Sequence, residues 1–205
     1  MTADPINFLD QEDDILIYEP ILAKKDCKIK ISFAETAEWK VKEHVPGYAG
    51  EIYKALKLTV LITDQNVQTE NDDAKARLTI EDQFNVVKYP YLSKKTGQVE
   101  WLNRAKLYQL EDAFGFDPFF AVDGVAVAPH ITKNGRKVAP KIAGAKQRVN
   151  PDFWTAYFNE DGTPKPDNWI DKEILADIGV DKNEQFGARN TILRYKKPYA
   201  DSVIG

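Results

Sequence analysis

Three stretches of this chain alternate apolar and polar residues with a period of two, the signature of half-buried β-strands. Cys27 opens the first, in which Ile29, Ile31 and Phe33 share one face and Lys28, Lys30 and Ser32 the other. In the second, Ile52 to Thr63, Leu56, Leu58, Val60 and Ile62 face inward and Tyr53, Lys57 and Thr59 outward. In the third, Arg77 to Val87, Leu78, Ile80, Phe84 and Val86 lie on one side. Such strands require a core against one sheet face. With 43% hydrophobic residues in 205 and 10 Phe, 9 Tyr and 4 Trp, the chain can supply one, which excludes global disorder.

The period then changes. Asn103 is placed to cap a helix carrying Leu107, Leu110, Ala113 and Phe114 at 3–4 spacing and closing at Gly115. An apolar stretch from Val125 leads to Ile131, and Asn134-Gly135 is the strongest short-range hairpin signal, with a return strand over Arg136 to Ile142. Trp154, Tyr157 and Phe158 have the spacing of a buried helical face. A short helix over Asn168 to Ile178, closed by Gly179, and a strand around Thr191–Tyr195 follow. Five strands with a helix between the third and fourth give a mainly β, α+β expectation: an OB-like five-stranded Greek-key barrel with a C-terminal extension. A plain antiparallel sheet packed on one helix would produce the same string. The expected organisation is an acidic arm over 1–23, a barrel domain over 24–150 and an extension over 151–205 packed on the barrel.

Composition removes several function classes. One cysteine allows no internal disulfide, and two histidines (His44, His130) cannot form a zinc-ligand cluster or support a His-dependent triad in these loop positions. No Walker, Rossmann or Gly-x-Ser-x-Gly motif is present. Catalytic residues, metal and cofactor are all expected to be none, and the chain is expected not to be an enzyme. The competing enzyme reading is a Mg²⁺-dependent restriction-like nuclease built on Asp26, Glu38 and Lys40. No window approaches eighteen uncharged apolar residues, and Met1 to Asp14 lacks the basic and apolar regions of a signal peptide, so a soluble cytoplasmic protein without membrane contact is expected.

Charge is unevenly distributed. Residues 1–23 carry six acids and no Lys or Arg, whereas residues 124–151 carry Lys133, Arg136, Lys137, Lys141, Lys146 and Arg148 and no acid. Clustered cations are the electrostatic footprint of a polyanion partner. In an OB-like barrel the first–second and fourth–fifth strand loops are the usual nucleic-acid contacts. The first holds Trp39, Lys40, Lys42 and Tyr48, and the second Lys133, Arg136, Lys137 and Lys141, with Lys57 on the outer face of the second strand. Tyr89, Tyr91, Lys94 and Lys95 furnish a further loop. Cations that follow phosphates beside rings that stack on unpaired bases are what single-stranded nucleic acid requires. These thirteen residues are the expected nucleic-acid-binding set.

With this Tyr-rich loop, the run NRAKLYQLEDAFG from Asn103 to Gly115 and the run FGARNTILRY from Phe186 to Tyr195, the chain resembles a family of small phage proteins. They are encoded in replication and recombination modules, and several are regarded as single-stranded DNA-binding proteins. The likeness runs from about Lys28 to Pro198 and lies in pattern rather than in an invariant motif. It implies an OB-like core, sequence-independent ssDNA binding, replication or recombination proteins as further partners, and the host-cell cytoplasm. One departure is that many ssDNA-binding proteins end in an acidic tail, while here Tyr199 to Gly205 is not acidic and the acids stand at the other end, where they are expected to compete with DNA for the basic surface. A third reading is a virion or assembly protein with no nucleic-acid role. Oligomeric state is not readable.

Overall fold

The computed structural model describes residues 17–183 and 187–198. Residues 1–16, which hold most of the acidic arm, Phe186 of the second run and Tyr199 to Gly205 lie outside them. The first strands are β1 (Tyr18–Pro20), β2 (Lys24–Lys40), β3 (Ile52–Ile62), β4 (Lys75–Arg77), β5 (Thr79–Asn85), β6 (Tyr89–Leu92) and β7 (Val99–Leu102). Helix α1 (Ala105–Ala113) follows, then β8 (Phe119–Val122), β9 (Val125–Val127), β10 (His130–Ile131), β11 (Lys137–Val138) and β12 (Lys146–Arg148). The chain continues through α2 (Pro151–Tyr157), α3 (Pro166–Trp169), β13 (Glu173–Asn183) and β14 (Gly187–Lys196).

The expected barrel is not formed. The main sheet has the order β14-β13-β2-β3-β5, and no sheet among the described residues closes on itself. Its outer strands approach each other through side chains only. The Tyr195 hydroxyl donates to Asp82 at 2.8 Å, and the Phe84 and Tyr195 rings lie 6.4 Å apart. The membership also differs from the expectation. The strands flanking Asn134-Gly135 form a separate two-residue ribbon, β10–β11, and their places in the sheet are taken by β13 and β14, so the C-terminal segment is part of the sheet rather than an extension. Asn134-Gly135 does turn the chain: the Gly135 N–H donates to Thr132 O at 2.9 Å, with Gly135 in the left-handed region at φ 73°.

The alternating strands bury the faces they were read to bury, with one change of phase and one exception: Leu78, between β4 and β5, is exposed. Cys27, Ile29 and Ile31 are buried, but an irregularity in the β2–β3 register between Ile31 and Phe33 turns Phe33 outward and Ala34 inward. Against the sheet pack Leu107, Leu110 and Ala113 of α1 and an aromatic cluster from α2 and α3. Asn150 starts α2 by accepting from the Asp152 and Phe153 N–H groups at 2.8 and 3.3 Å, with Pro151 at the first helical position. The segment read as a helix over Asn168 to Ile178 is instead one helical turn followed by β13.

Strand β1 spans the gap that the open sheet leaves. It pairs in parallel with β4, while the N–H and C=O of buried Ile21 bond the Asn190 side chain of β14 at 2.8 and 2.9 Å. Asn190→Ala strands both Ile21 groups in the interior, where each unsatisfied group costs about 1–3 kcal/mol. We expect a loss of at least about 1 kcal/mol in urea unfolding. An unchanged midpoint would mean β1 contributes nothing to closure.

Candidate functional site

The thirteen expected binding residues fall into separate places. At one end of the sheet, Trp39 and Tyr53 are cross-strand partners, and the β6–β7 hairpin lays Tyr89 against both, edge-on at 5.4 and 5.6 Å. Tyr48 meets Trp101 at 5.3 Å, also edge-on. Their hydroxyls are committed as well: Tyr89 donates to Lys40 O at 3.0 Å, Tyr53 to Glu51 at 2.7 Å and Tyr91 to Glu100 at 2.8 Å. The Glu51 bond pushes the Tyr53 phenol up to about 12. These rings dock the hairpin onto the sheet, an arrangement that stabilises each aromatic pair by about 0.5–1.5 kcal/mol. Lys40 pairs with Glu43 at 3.4 Å; Lys42, Lys94 and Lys95 are exposed nearby. Lys57 sits in mid-sheet between Glu35 and Glu81, 3.2 Å from each.

The remaining four expected residues belong to a lobe spanning 119–149, made of the β12-β8-β9 sheet and the β10–β11 ribbon. The lobe has almost no core: only Phe120 and Ala121 are buried, while Val125, Ile131 and Ile142 are 69%, 60% and 50% exposed. Of its six cations, only Lys137 has a carboxylate partner among the described residues, Asp117. Lys133, Arg136, Lys141, Lys146 and Arg148 have none, unlike the sheet cations Lys24, Lys30, Lys54, Lys57 and Lys196, all of which are ion-paired.

Between the lobe and α1 runs a groove of about 540 Å³, bounded by Tyr108 and Asp112 of α1, Phe116, Arg136, Lys137 and, from β14, Arg194. Arg194 completes the cationic wall from a position more than fifty residues further along the chain, which no local pattern could reveal. The lobe is fixed to the body by the Tyr108 hydroxyl donating to Gln147 O at 3.2 Å and by Lys137 pairing with Asp117, while the Asn150 side-chain amide, donating to Asp117 O at 2.9 Å, ties together the two segments from which the lobe leaves.

Behind the groove, outside its lining, lies Glu111, 1% exposed. One carboxylate oxygen accepts from the Asn150 N–H at 3.0 Å and the other has no partner among the described residues. Burial pushes this carboxyl up to about 7, against the opposing pull of the Asn150 N–H and the Arg104 charge. The sequence signal was present: Glu111 stands four residues after Leu107, on the buried stripe of α1. Cys27 is buried, and its thiol is pushed up to about 11 chiefly by that burial, so it is protonated at neutral pH.

The nuclease reading is overturned by geometry. Asp26 and Glu38 are twelve residues apart on the single strand β2, about 40 Å at 3.3 Å per residue, and cannot share a metal. Asp26 instead pairs with Lys196 at 2.8 Å. No group of three or more His, Cys, Asp or Glu residues able to hold a metal ion occurs among the described residues. No described helix is long and apolar enough to cross a membrane. No family model, curated protein or solved structure matches the chain. The resemblance to phage ssDNA-binding proteins therefore finds no support, and without a closed barrel the OB-fold, ssDNA-binding and phage replication and recombination assignments that rested on it are withdrawn.

Proposed function

We propose that this chain is a non-catalytic protein-binding module whose 119–149 lobe, with the groove against α1, docks an acidic polypeptide segment bearing aliphatic side chains. The observation that carries the reading is the lobe itself: five cations without carboxylate partners among the described residues stand on the same unit as exposed Val125, Ile131 and Ile142, a unit with almost no core of its own. Exposed apolar groups rimmed by charge mark interaction sites. Asp112 and Asp117 line the groove beside Arg136 and Lys137, which disfavours a continuous phosphate backbone more than a peptide that can place its acids elsewhere.

The test is fluorescence anisotropy with a labelled, disordered peptide of Glu, Ile and Gly at low salt. Lys133→Ala, Arg136→Ala and Lys141→Ala combined should weaken binding about tenfold, equivalent to about 1.4 kcal/mol. Val125→Ser, Ile131→Ser and Ile142→Ser combined should also weaken it, by a smaller factor. Binding that ignores the aliphatic set, and is tighter for a single-stranded oligonucleotide of equal charge, would replace this reading with a polyanion surface.

A further inference from the structure

We infer that the segment seated on the lobe is residues 4–14 of a second copy of this chain, so that the protein self-associates through an arm-to-lobe contact. The inference rests on the proposed function and names its partner. The sequence of residues 1–16 fits the required chemistry: Asp4, Asp10, Glu12, Asp13 and Asp14 give −5 without a cation, interleaved with Ile6, Phe8, Leu9, Ile15 and Leu16. The lobe offers +6 between residues 124 and 151 with Val125, Ile131 and Ile142 exposed on the same unit. Apart from Lys137, which already neutralises Asp117, these cations meet no described carboxylate within their own chain.

Geometry decides between the chain's own arm and that of a neighbour. Strand β1 is parallel to β4, which leads into β5, and the successive antiparallel pairs β5–β3, β3–β2, β2–β13 and β13–β14 make β14 run in the same sense as β5. Ile21 is level with Asn190, to which it is hydrogen-bonded, so Ile17 lies four residues behind that level and Arg194, in the groove, four residues ahead. Eight residues of strand put them about 26 Å apart along the strand direction. The chain enters at Ile17 heading toward Ile21, so the preceding residues must reverse to reach the groove at all. Even fully extended in the favourable direction, Asp14 reaches about 11 Å from Ile17, Glu12 about 18 Å and Asp10 about 25 Å. Glu12, Asp13 and Asp14 thus fall short of their own groove, and of the proposed segment's acids only Asp4 and, at full stretch, Asp10 come level with it, whereas the arm of a neighbouring molecule can lay all five acids on the lobe. A contact between two different surfaces of identical chains is heterologous and closes only if the geometry allows, giving a closed oligomer or a chain of subunits.

The experiment is sedimentation velocity on the full chain across concentrations from about 1 to 100 µM at low and high salt, since screening at about 0.5 M salt removes such a contact. The weight-average mass should rise at least twofold above the 23.3 kDa of one chain at low salt and return to it at high salt. Two charge-reversed variants provide the control: Asp10→Lys, Glu12→Lys, Asp13→Lys and Asp14→Lys in one, and Lys133→Glu, Arg136→Glu and Lys141→Glu in the other. Each alone should remain monomeric, and mixing them should leave both monomer populations reduced in favour of a 1:1 complex, because one intact arm then meets one intact lobe. Circular dichroism of each variant shows whether it is folded. A wild-type chain that stays monomeric at 100 µM, or variants that associate as the wild type does, would overturn the inference. If the Glu/Ile/Gly peptide still binds the lobe in that case, the proposed function stands and only the identity of the occupant is wrong; if neither binds, both fall.

Discussion

Trp169→Ala is expected to destabilise the protein by about 3–5 kcal/mol, the range for removing a large buried aromatic side chain. Trp169 is fully buried, and the rings of Phe114, Phe153, Tyr157 and Phe158 surround it with centroids 5.0 to 6.0 Å away. Its indole N–H donates to Tyr157 O at 2.9 Å, so truncation opens a cavity and removes one of the two hydrogen bonds that this carbonyl accepts, the other coming from the Lys165 N–H at 2.8 Å. Because a domain is usually stable by about 5–15 kcal/mol, the variant should be close to unfolding at room temperature. Trp169→Phe should recover most of the loss, lacking only the N–H and part of the volume. Urea unfolding measures both. A cost under about 1 kcal/mol for the alanine variant would show that α2 and α3 contribute little to the fold.

Glu111 should make stability fall as pH rises toward neutrality. Its carboxyl titrates at about 7 in the folded chain and at the ordinary 4.5 when unfolded. Below pH 4.5 both states hold the proton and no difference arises. Between 4.5 and 7 the unfolded chain ionises while the folded one keeps its proton, so each pH unit removes about 1.4 kcal/mol. Above 7 the penalty levels off at about 3 kcal/mol. Glu111→Gln keeps an acceptor for the Asn150 N–H and cannot ionise. It should therefore leave stability near pH 5 almost unchanged and raise it by about 1–3 kcal/mol at pH 8. Thermal melts of both proteins across pH 4 to 8 measure the difference, and parallel curves would mean that water already solvates the carboxyl. Since Glu111 holds Asn150 at the junction of the lobe and α2, its ionisation acts on the segment that carries the groove.

The periodic elements were legible because one face of each meets water and the other does not. Cys27, Ile29 and Ile31, the series Leu56 to Ile62, and the helix carrying Leu107 and Leu110 needed only their spacing. The register shift beyond Ile31 left no mark in composition, and it alone reversed Phe33 and Ala34. Ile174, Leu175, Ala176 and Ile178 satisfy a helical and an extended period alike, so Gly179 read as a helix stop. In the structure Gly179 lies inside β13, where an added side-chain carbon would stand 3.1 Å from Leu193, a contact set by a strand that begins eight residues later. The string of strands was likewise compatible with more than one pairing: β13 joins β2 across most of the chain, and nothing near Asn134-Gly135 showed that its ribbon would stand apart. The cationic run over 124–151 was plain in the sequence. The groove it borders was not, because α1 and Arg194 enter it from distant parts of the chain.

The pairing of β2 with β13 also governs what happens while the chain is being made. Strand β2 ends at Lys40 and its neighbour begins at Glu173, so more than 130 residues must emerge from the ribosome before that edge is covered. At about 5–20 residues per second, the β2-β3-β5 unit, complete at Asn85, would wait roughly 4 to 18 seconds with one edge of β2 unpaired, on the strand whose inner face carries Cys27, Ile29 and Ile31. An open edge of that kind is a template for pairing with another nascent chain. Lys24, Lys25, Lys28 and Lys30 lie along the stretch left bare, and their like charge opposes the approach of a second copy of the same strand until its own partner arrives.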